Sequence, residues 1–422
     1  MEINKQLLKF LICYLIIILI LEILFRQKLY NNSIDYIIEL QKNNNNSTST
    51  FLYKYLKGIE AIFSFNISDY AAIIIGFLYS IKDSYIFMFI FSISAYTNSI
   101  LKLIYRNHRP FWDNPLIKFN KCSAGFGNPS GHSARNSIIF LSIYYYISNF
   151  KYIKEKNILK KVIIIPILLI IFSVMYSRIF EGMHTFNQIL FGFSFGVFFF
   201  ILWFYLLKIQ NFTSKYILEI AENKNFLLTF SLVIFLTPFP IYWFTSGITN
   251  IDELNKIILQ IDKCKKIAER KKFFKTGLIS TMKSTLQIGG VLGFYFIKKM
   301  INKYPCDEEQ ILSWKEYNYR MKFIRTIIIL IIVIPINFLI DNFYYKGNYF
   351  FLTVLYEIIT SSIFGFIIFG PTVYYSYIIC NYFIKGNKIG INDFLKLTPV
   401  FNPNDINTNI SNGTNDILLN EQ

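Results

Sequence analysis

Three short stretches hold the residues best suited to chemistry on an anion. The first joins Lys102 to Arg109-Pro110 across six intervening residues. The second is Pro129-Ser130-Gly131-His132. The third runs from Ser177-Arg178 to His184 and on to Gln188. Lys102, Arg109 and Arg178 are three cations able to neutralise a phosphoryl dianion, the arginines by bidentate hydrogen bonds. Pro129-Ser130-Gly131 opens an apolar segment, so it offers a hydroxyl and backbone N–H groups at a helix N-terminus, where the helix dipole favours an anion. His132 and His184 are two of only three histidines in the chain. Imidazole titrates near neutral pH, so one can attack phosphorus while the other protonates the departing oxygen. That chemistry is the hydrolysis of a phosphate monoester.

The elements that must position these residues are apolar helices. The chain has 422 residues, 54% of them hydrophobic, 19% aromatic and 16% charged, a balance that excludes an ordinary soluble domain. Apolar stretches near 7–25, 61–81, 85–105, 131–149, 160–177, 184–207, 226–246, 276–297, 323–341 and 351–384 are each read as a span, since ~20 apolar residues cross a bilayer. The last is either one helix bent at Gly370-Pro371 or a re-entrant pair. The expected fold is all-α: a polytopic helical membrane protein with a six-helix core and about four additional C-terminal spans. Its expected divisions are a first span and polar linker (1–60), a core (61–208, with span 7–25), a C-terminal extension (209–384) and a polar, mobile tail (385–422). The stretch 7–25 is too long for a signal peptide and is followed by Arg26-Gln27-Lys28 instead of a cleavage site, so it is read as uncleaved.

The formal charge of +17 does not point to nucleic acid, because the lysines gather in short loops beside apolar segments. Loop 150–161 holds five lysines and is expected on the cytosolic side. Loops 106–130 and 178–183 then share the opposite face, which brings all three stretches to one membrane surface. The basic loop 248–275 disagrees with that count. The five cysteines are scattered, without a CxxC pair, so neither a zinc site nor a disulfide framework is implied. No GxxxxGK[ST] or HExxH is present, which leaves NTPase and zinc-protease readings without support.

The pattern KxxxxxxRP, PSGH, SRxxxxxHxxx[D] resembles that of the type-2 phosphatidic acid phosphatase superfamily, which includes lipid phosphate phosphatases, glucose-6-phosphatase and vanadium haloperoxidases. The resemblance covers about residues 60–205 and departs at Gln188, where the family usually has Asp. It implies that His184 is the nucleophile, forming a phosphohistidine, and that His132 protonates the leaving oxygen and later activates water. Lys102, Arg109, Arg178, Ser130 and Gly131 would bind phosphate, and Gln188, at i+4, would orient His184. It further implies a membrane-embedded phosphoric monoester hydrolase with no metal and no cofactor; endoplasmic reticulum or another endomembrane is the expected location, with the site non-cytosolic by the loop charges.

Lipid phosphate, as phosphatidate or a sphingoid-base phosphate, is the leading substrate. Gln188 and the spacing from Cys122 to His132 are similar to glucose-6-phosphatase, the second reading, whereas Gly182-Met183-His184 is similar to the sphingoid-base-phosphate enzymes. A protein that binds or transports a phosphate lipid without turnover is the reading from another class, and the two intact histidines speak against it. Since a carboxylate would stabilise a cationic imidazole, Gln188→Asp is expected to match or exceed the parent rate. His108 is read as local structure or pocket rim, Arg106 and Arg135 as helix-end charges, Phe111 and Trp112 as interfacial aromatics, and Glu181 as either a pocket-rim group or a loop charge.

Overall fold

The computed structural model describes residues 2–43, 51, 54–59, 81–119, 125–208, 214–248, 278, 281–282, 285–303, 319–342 and 350–384. The expected span 61–81 (but for residue 81), the Asn-rich run 44–46, Cys122, the basic loop at 249–275 and the tail from 385 lie outside the described residues. Helices and their connections make up the described chain, and no strand occurs among the described residues. The fold is that of an all-α, polytopic membrane protein. Six described stretches are long and apolar enough to cross a bilayer: Lys5–Lys42, Ile86–Asp113, Asn157–Phe180, Phe186–Leu207, Lys224–Thr245 and Val354–Ile379. The expected spans 131–149, 276–297 and 323–341 correspond to helices Gly131–Asn149, Leu286–Lys303 and Tyr319–Asn342, which are not among those six.

Helix α1 (Glu2–Asn43) does not stop at residue 25 but continues through the expected linker as far as Asn43. Its polar half repeats Tyr30, Ser33, Ile37 and Gln41 at helical spacing, and that face meets loops of the core. Ser33 Oγ accepts from Phe186 N at 2.9 Å. Gln41 Nε2 donates to Lys118 O at 2.8 Å and to Phe180 O at 3.0 Å. Tyr30 is hydrogen-bonded to Asp113.

After α2 (Ile81–Tyr105) come α3 (Gly131–Asn149), α4 (Asn157–Phe180) and α5 (Phe186–Lys208). Helix α5 packs on α1, α2, α3 and α4. Its far end buries Trp203 completely against Phe87, Tyr145 and Tyr146. Its near end uses Gly192 and Gly196, one turn apart, to bring two backbones together. A Cβ on Gly192 would stand 2.5 Å from Ser130 O, and one on Gly196 would overlap Ala134 O. This Gly-x-x-x-Gly contact, the small-residue device of membrane helix pairs, fixes the N-terminus of α3 against α5. Gly192→Ala is therefore expected to destabilise the protein by about 1–3 kcal/mol, read as earlier thermal unfolding in detergent. Phosphate affinity should fall with it.

Beyond the core lie α6 (Ser214–Glu222), α7 (Lys224–Leu236), α8 (Pro238–Ile248), α9 (Leu286–Lys303), α10 (Tyr319–Asn342), α11 (Phe350–Phe369) and α12 (Pro371–Ile384). Glycines also bring α9 and α11 into close contact, with Gly289 against Ser362 and Gly365 against Leu286. At Gly370 the helical bonds carry on: Gly370 N donates to Phe366 O (2.9 Å) and Tyr374 N to Gly370 O (3.1 Å). Residues 351–384 thus follow the bent-helix alternative over this joint. The chain divides into two compact units, 1–376 and 377–422, and of the second the described part is helical to Ile384.

Candidate active site

Lys102 closes the last turn of α2, and Arg106, with φ of 46°, ends that helix. The chain then extends to Arg109, which precedes a helical turn at Pro110–Asp113 whose proline fits the first helical position. Arg109 is 4% exposed and bridges two loops. Its Nε donates to Gly125 O at 2.7 Å and its Nη1 to Met183 O at 3.1 Å. The same Nη1 lies 3.3 Å from Nε2 of His184.

The second stretch is the start of α3. Ser130 is its N-cap, the side chain accepting from Ser133 N at 3.4 Å and from Ser133 Oγ at 3.1 Å. The backbone N–H of Ser130, expected to face the anion, donates instead to Gln188 O at 2.9 Å. That bond is the second tie between α3 and α5, beside the glycine contact. Lys102 Nζ comes to Gly131: it would be 3.8 Å from a Cβ placed there, with Asn98 Oδ1 at 3.5 Å. His132 occupies the first turn of α3, and its carbonyl accepts from Asn136 Nδ2 at 2.9 Å.

The third stretch folds back on itself because α4 ends in a left-handed glycine. Gly182 has φ of 66°, and a Cβ there would overlap Ile117. The reversal lets Met183 N and His184 N both donate to Arg178 O, at 3.0 and 3.2 Å. Arg178 and His184 are thereby held within one turn, both buried. The Arg178 guanidinium reaches Glu181, Nη1 to Oε2 being 3.0 Å.

His184 is 2% exposed, in the connection between α4 and α5. Burial first, then the charges of Arg109, Lys102, Arg178 and His132, hold its imidazole well below the usual histidine range. A neutral ring with a lone pair is what a nucleophile at neutral pH requires. Which nitrogen bears that lone pair follows from Gln188. Its Nε2 donates to Asn107 Oδ1 at 2.7 Å and to His108 O at 2.6 Å. With the amide nitrogen so committed, Oε1 is the atom facing His184 Nδ1, at 3.0 Å. Nδ1 therefore carries the proton, and Nε2, beside Arg109, presents the lone pair.

All eight residues singled out by the motifs are described, and the structure brings them to one end of the α2–α5 bundle. His108 stands apart: its Nδ1 is 2.7 Å from Asp113 Oδ1 and its ring lies against Trp112. Asn107, which anchors Gln188, escaped the sequence reading, as did the Gly192–Gly196 contact. The Gly-x-x-x-Gly spacing was a usable signal for the second. Nothing marked Asn107 among the many asparagines.

No curated protein matches the chain significantly. A solved structure described as that of the first transmembrane PAP2-type phosphatidylglycerolphosphate phosphatase from Bacillus subtilis is similar at 22% identity. The match covers 50% of this chain and 100% of that one, with a TM-score of 0.38. Residues 84–212, the stretch of this polytopic membrane protein that carries all three motifs, match the family model described as the PAP2 superfamily.

Proposed function

We propose that the protein is an integral-membrane phosphatase that hydrolyses a phosphate monoester through a phosphohistidine at His184, without a metal. The observation that carries this reading is the oriented His184, its Nδ1 on Gln188 and its Nε2 beside Arg109. Nε2 attacks phosphorus as the ester P–O bond breaks, and His132 gives its proton to the leaving oxygen. Water then attacks the phosphoryl group, His132 takes a proton from it, and the P–N bond breaks to release phosphate. Lys102, Arg109 and Arg178 hold the phosphoryl oxygens with the hydroxyl of Ser130 and the N–H of Gly131. Expected divisions of the chain, the endomembrane location and the non-cytosolic site belong to the same proposal.

A lipid phosphate is the substrate class we favour. Between α1 and α5 lies a cavity of about 340 Å³, lined by Ile18, Leu21, Phe25, Leu29, Leu190 and Phe191, with Glu22, Asn187 and Ser194 as its polar residues. Asn187 adjoins Gln188, and Glu22 is hydrogen-bonded to Asn128, two residues before Ser130. An apolar slot backing onto the phosphate turn suits a hydrocarbon chain. Glucose-6-phosphate remains the second reading because Gln188 stands where that branch also has glutamine. The discriminating experiment compares phosphatidate, a sphingoid-base phosphate, an isoprenyl phosphate and glucose-6-phosphate with the purified protein. Cleavage of a lipid ester that survives EDTA and is blocked by vanadate is expected. Loss of activity in EDTA, or no cleavage of any ester, would overturn the reading.

A further inference from the structure

We propose that Glu181 is the counter-charge that matches this site to a doubly charged phosphoryl group and lets the product leave; the inference rests on the phosphatase reading above. Its carboxylate Oε2 lies 3.0 Å from Arg178 Nη1, and the two side chains are 5% and 6% exposed. A buried ion pair is a poor device for stability, because desolvation of the two charges offsets their attraction. Its place three residues beyond a phosphate-site arginine calls for another explanation.

The surrounding acids are committed elsewhere. Asp113 takes Tyr30 and His108, and Glu22 takes Asn128. Lys102, Arg109 and Arg178 all act on His184, and Glu181 already compensates one of them. Of the three cations proposed to bind phosphate, Lys102 and Arg109 then remain, among the described residues, to meet the two negative charges of a phosphoryl group. Three uncompensated cations in a buried pocket would hold inorganic phosphate, the product, more tightly than the ester needs. Glu181 also gives the Arg178 guanidinium a charged partner before substrate arrives. The backbone supports this placement: Glu181 N donates to Ser177 O at 3.0 Å, and the left-handed Gly182 follows at once. Glu181 acts through Arg178 and is thus a positioning and charge-setting residue.

The test is Glu181→Gln in the full-length protein in detergent, which removes the charge and keeps an oxygen able to accept from Arg178. Inhibition constants for inorganic phosphate and vanadate are expected to fall, on the order of tenfold for one charge removed at this range in a partly screened pocket. KM should fall with them, and kcat should fall because release is slowed. A merely structural role would move the inhibition constants the other way, since a disordered site binds anions less well. Unchanged or weaker phosphate inhibition in the variant of an active parent overturns this inference alone. A parent that neither cleaves an ester nor binds phosphate overturns the phosphatase reading and this inference with it. Should Glu181→Gln not fold, Glu181→Asp is read in its place: the shorter side chain lengthens the ion pair, and phosphate inhibition should tighten by a smaller factor.

Discussion

Replacing His184 by alanine is expected to lower turnover by about 10⁴-fold or more and to abolish every covalently phosphorylated form of the protein. The geometry makes the expectation specific to one nitrogen. Gln188 fixes the proton on Nδ1, and Nε2 lies 3.3 Å from a guanidinium that binds the same phosphoryl group in the proposed complex. No other imidazole can take over. His108 is held by Asp113, and His132 sits on the first turn of α3, where the proposed mechanism has it serve the leaving group. The companion variant separates the two histidines. His132→Ala should leave attack on an aryl phosphate largely intact, because a good leaving group needs no proton. It should stall at the second step, where water must lose one. Labelled phosphate should therefore accumulate on His132→Ala as an acid-labile, alkali-stable adduct, and none should form on His184→Ala. Label on the alanine variant at 184 would remove it as nucleophile.

The motifs could be read from the chain because cations and histidines at the ends of apolar helices have no packing explanation. Loop charge placed them at one face without reference to the motifs, and the i+4 spacing put Gln188 beneath His184. What a helical period reports is a face, not the group that meets it. For that reason the second half of α1 read as a linker: Tyr30, Ser33 and Gln41 are unremarkable until the loops they hold, at Asp113, Phe186 and Lys118, are folded against them. The backbone N–H of Ser130 was misassigned for a related reason. A helix N-terminus offers several unpaired donors, and only the close approach of α5 at Gly192 decides that this one goes to Gln188 O. Glu181 was left between two readings because its partner depends on a left-handed turn that the sequence marks with a single glycine.

The same limit reverses one expectation drawn from the sequence, that of Gln188→Asp, which is now expected to lower kcat about 10²-fold. A carboxylate would make a charge-assisted bond to the imidazole, a gain of about 1–1.5 kcal/mol over a neutral acceptor. Against it stand two hydrogen bonds that only an amide can make, to Asn107 Oδ1 and His108 O. Aspartate cannot donate, so both acceptors would face a buried negative charge, each unsatisfied group costing about 1–3 kcal/mol. The Asn107 amide can rotate to offer its nitrogen, but the His108 carbonyl belongs to the main chain and cannot. Aspartate is also one methylene shorter, so it must pull the ring or give up the bond. A displacement of about 1 Å in a reacting group is enough for the loss stated. Gln188→Glu keeps the length and isolates the donor effect; it should fall between parent and aspartate. Since Gln188 touches the imidazole and not the anion, inhibition by inorganic phosphate should stay near the parent value while kcat falls. A Gln188→Asp protein as fast as the parent would show that charge on the imidazole outweighs the anchoring of the amide.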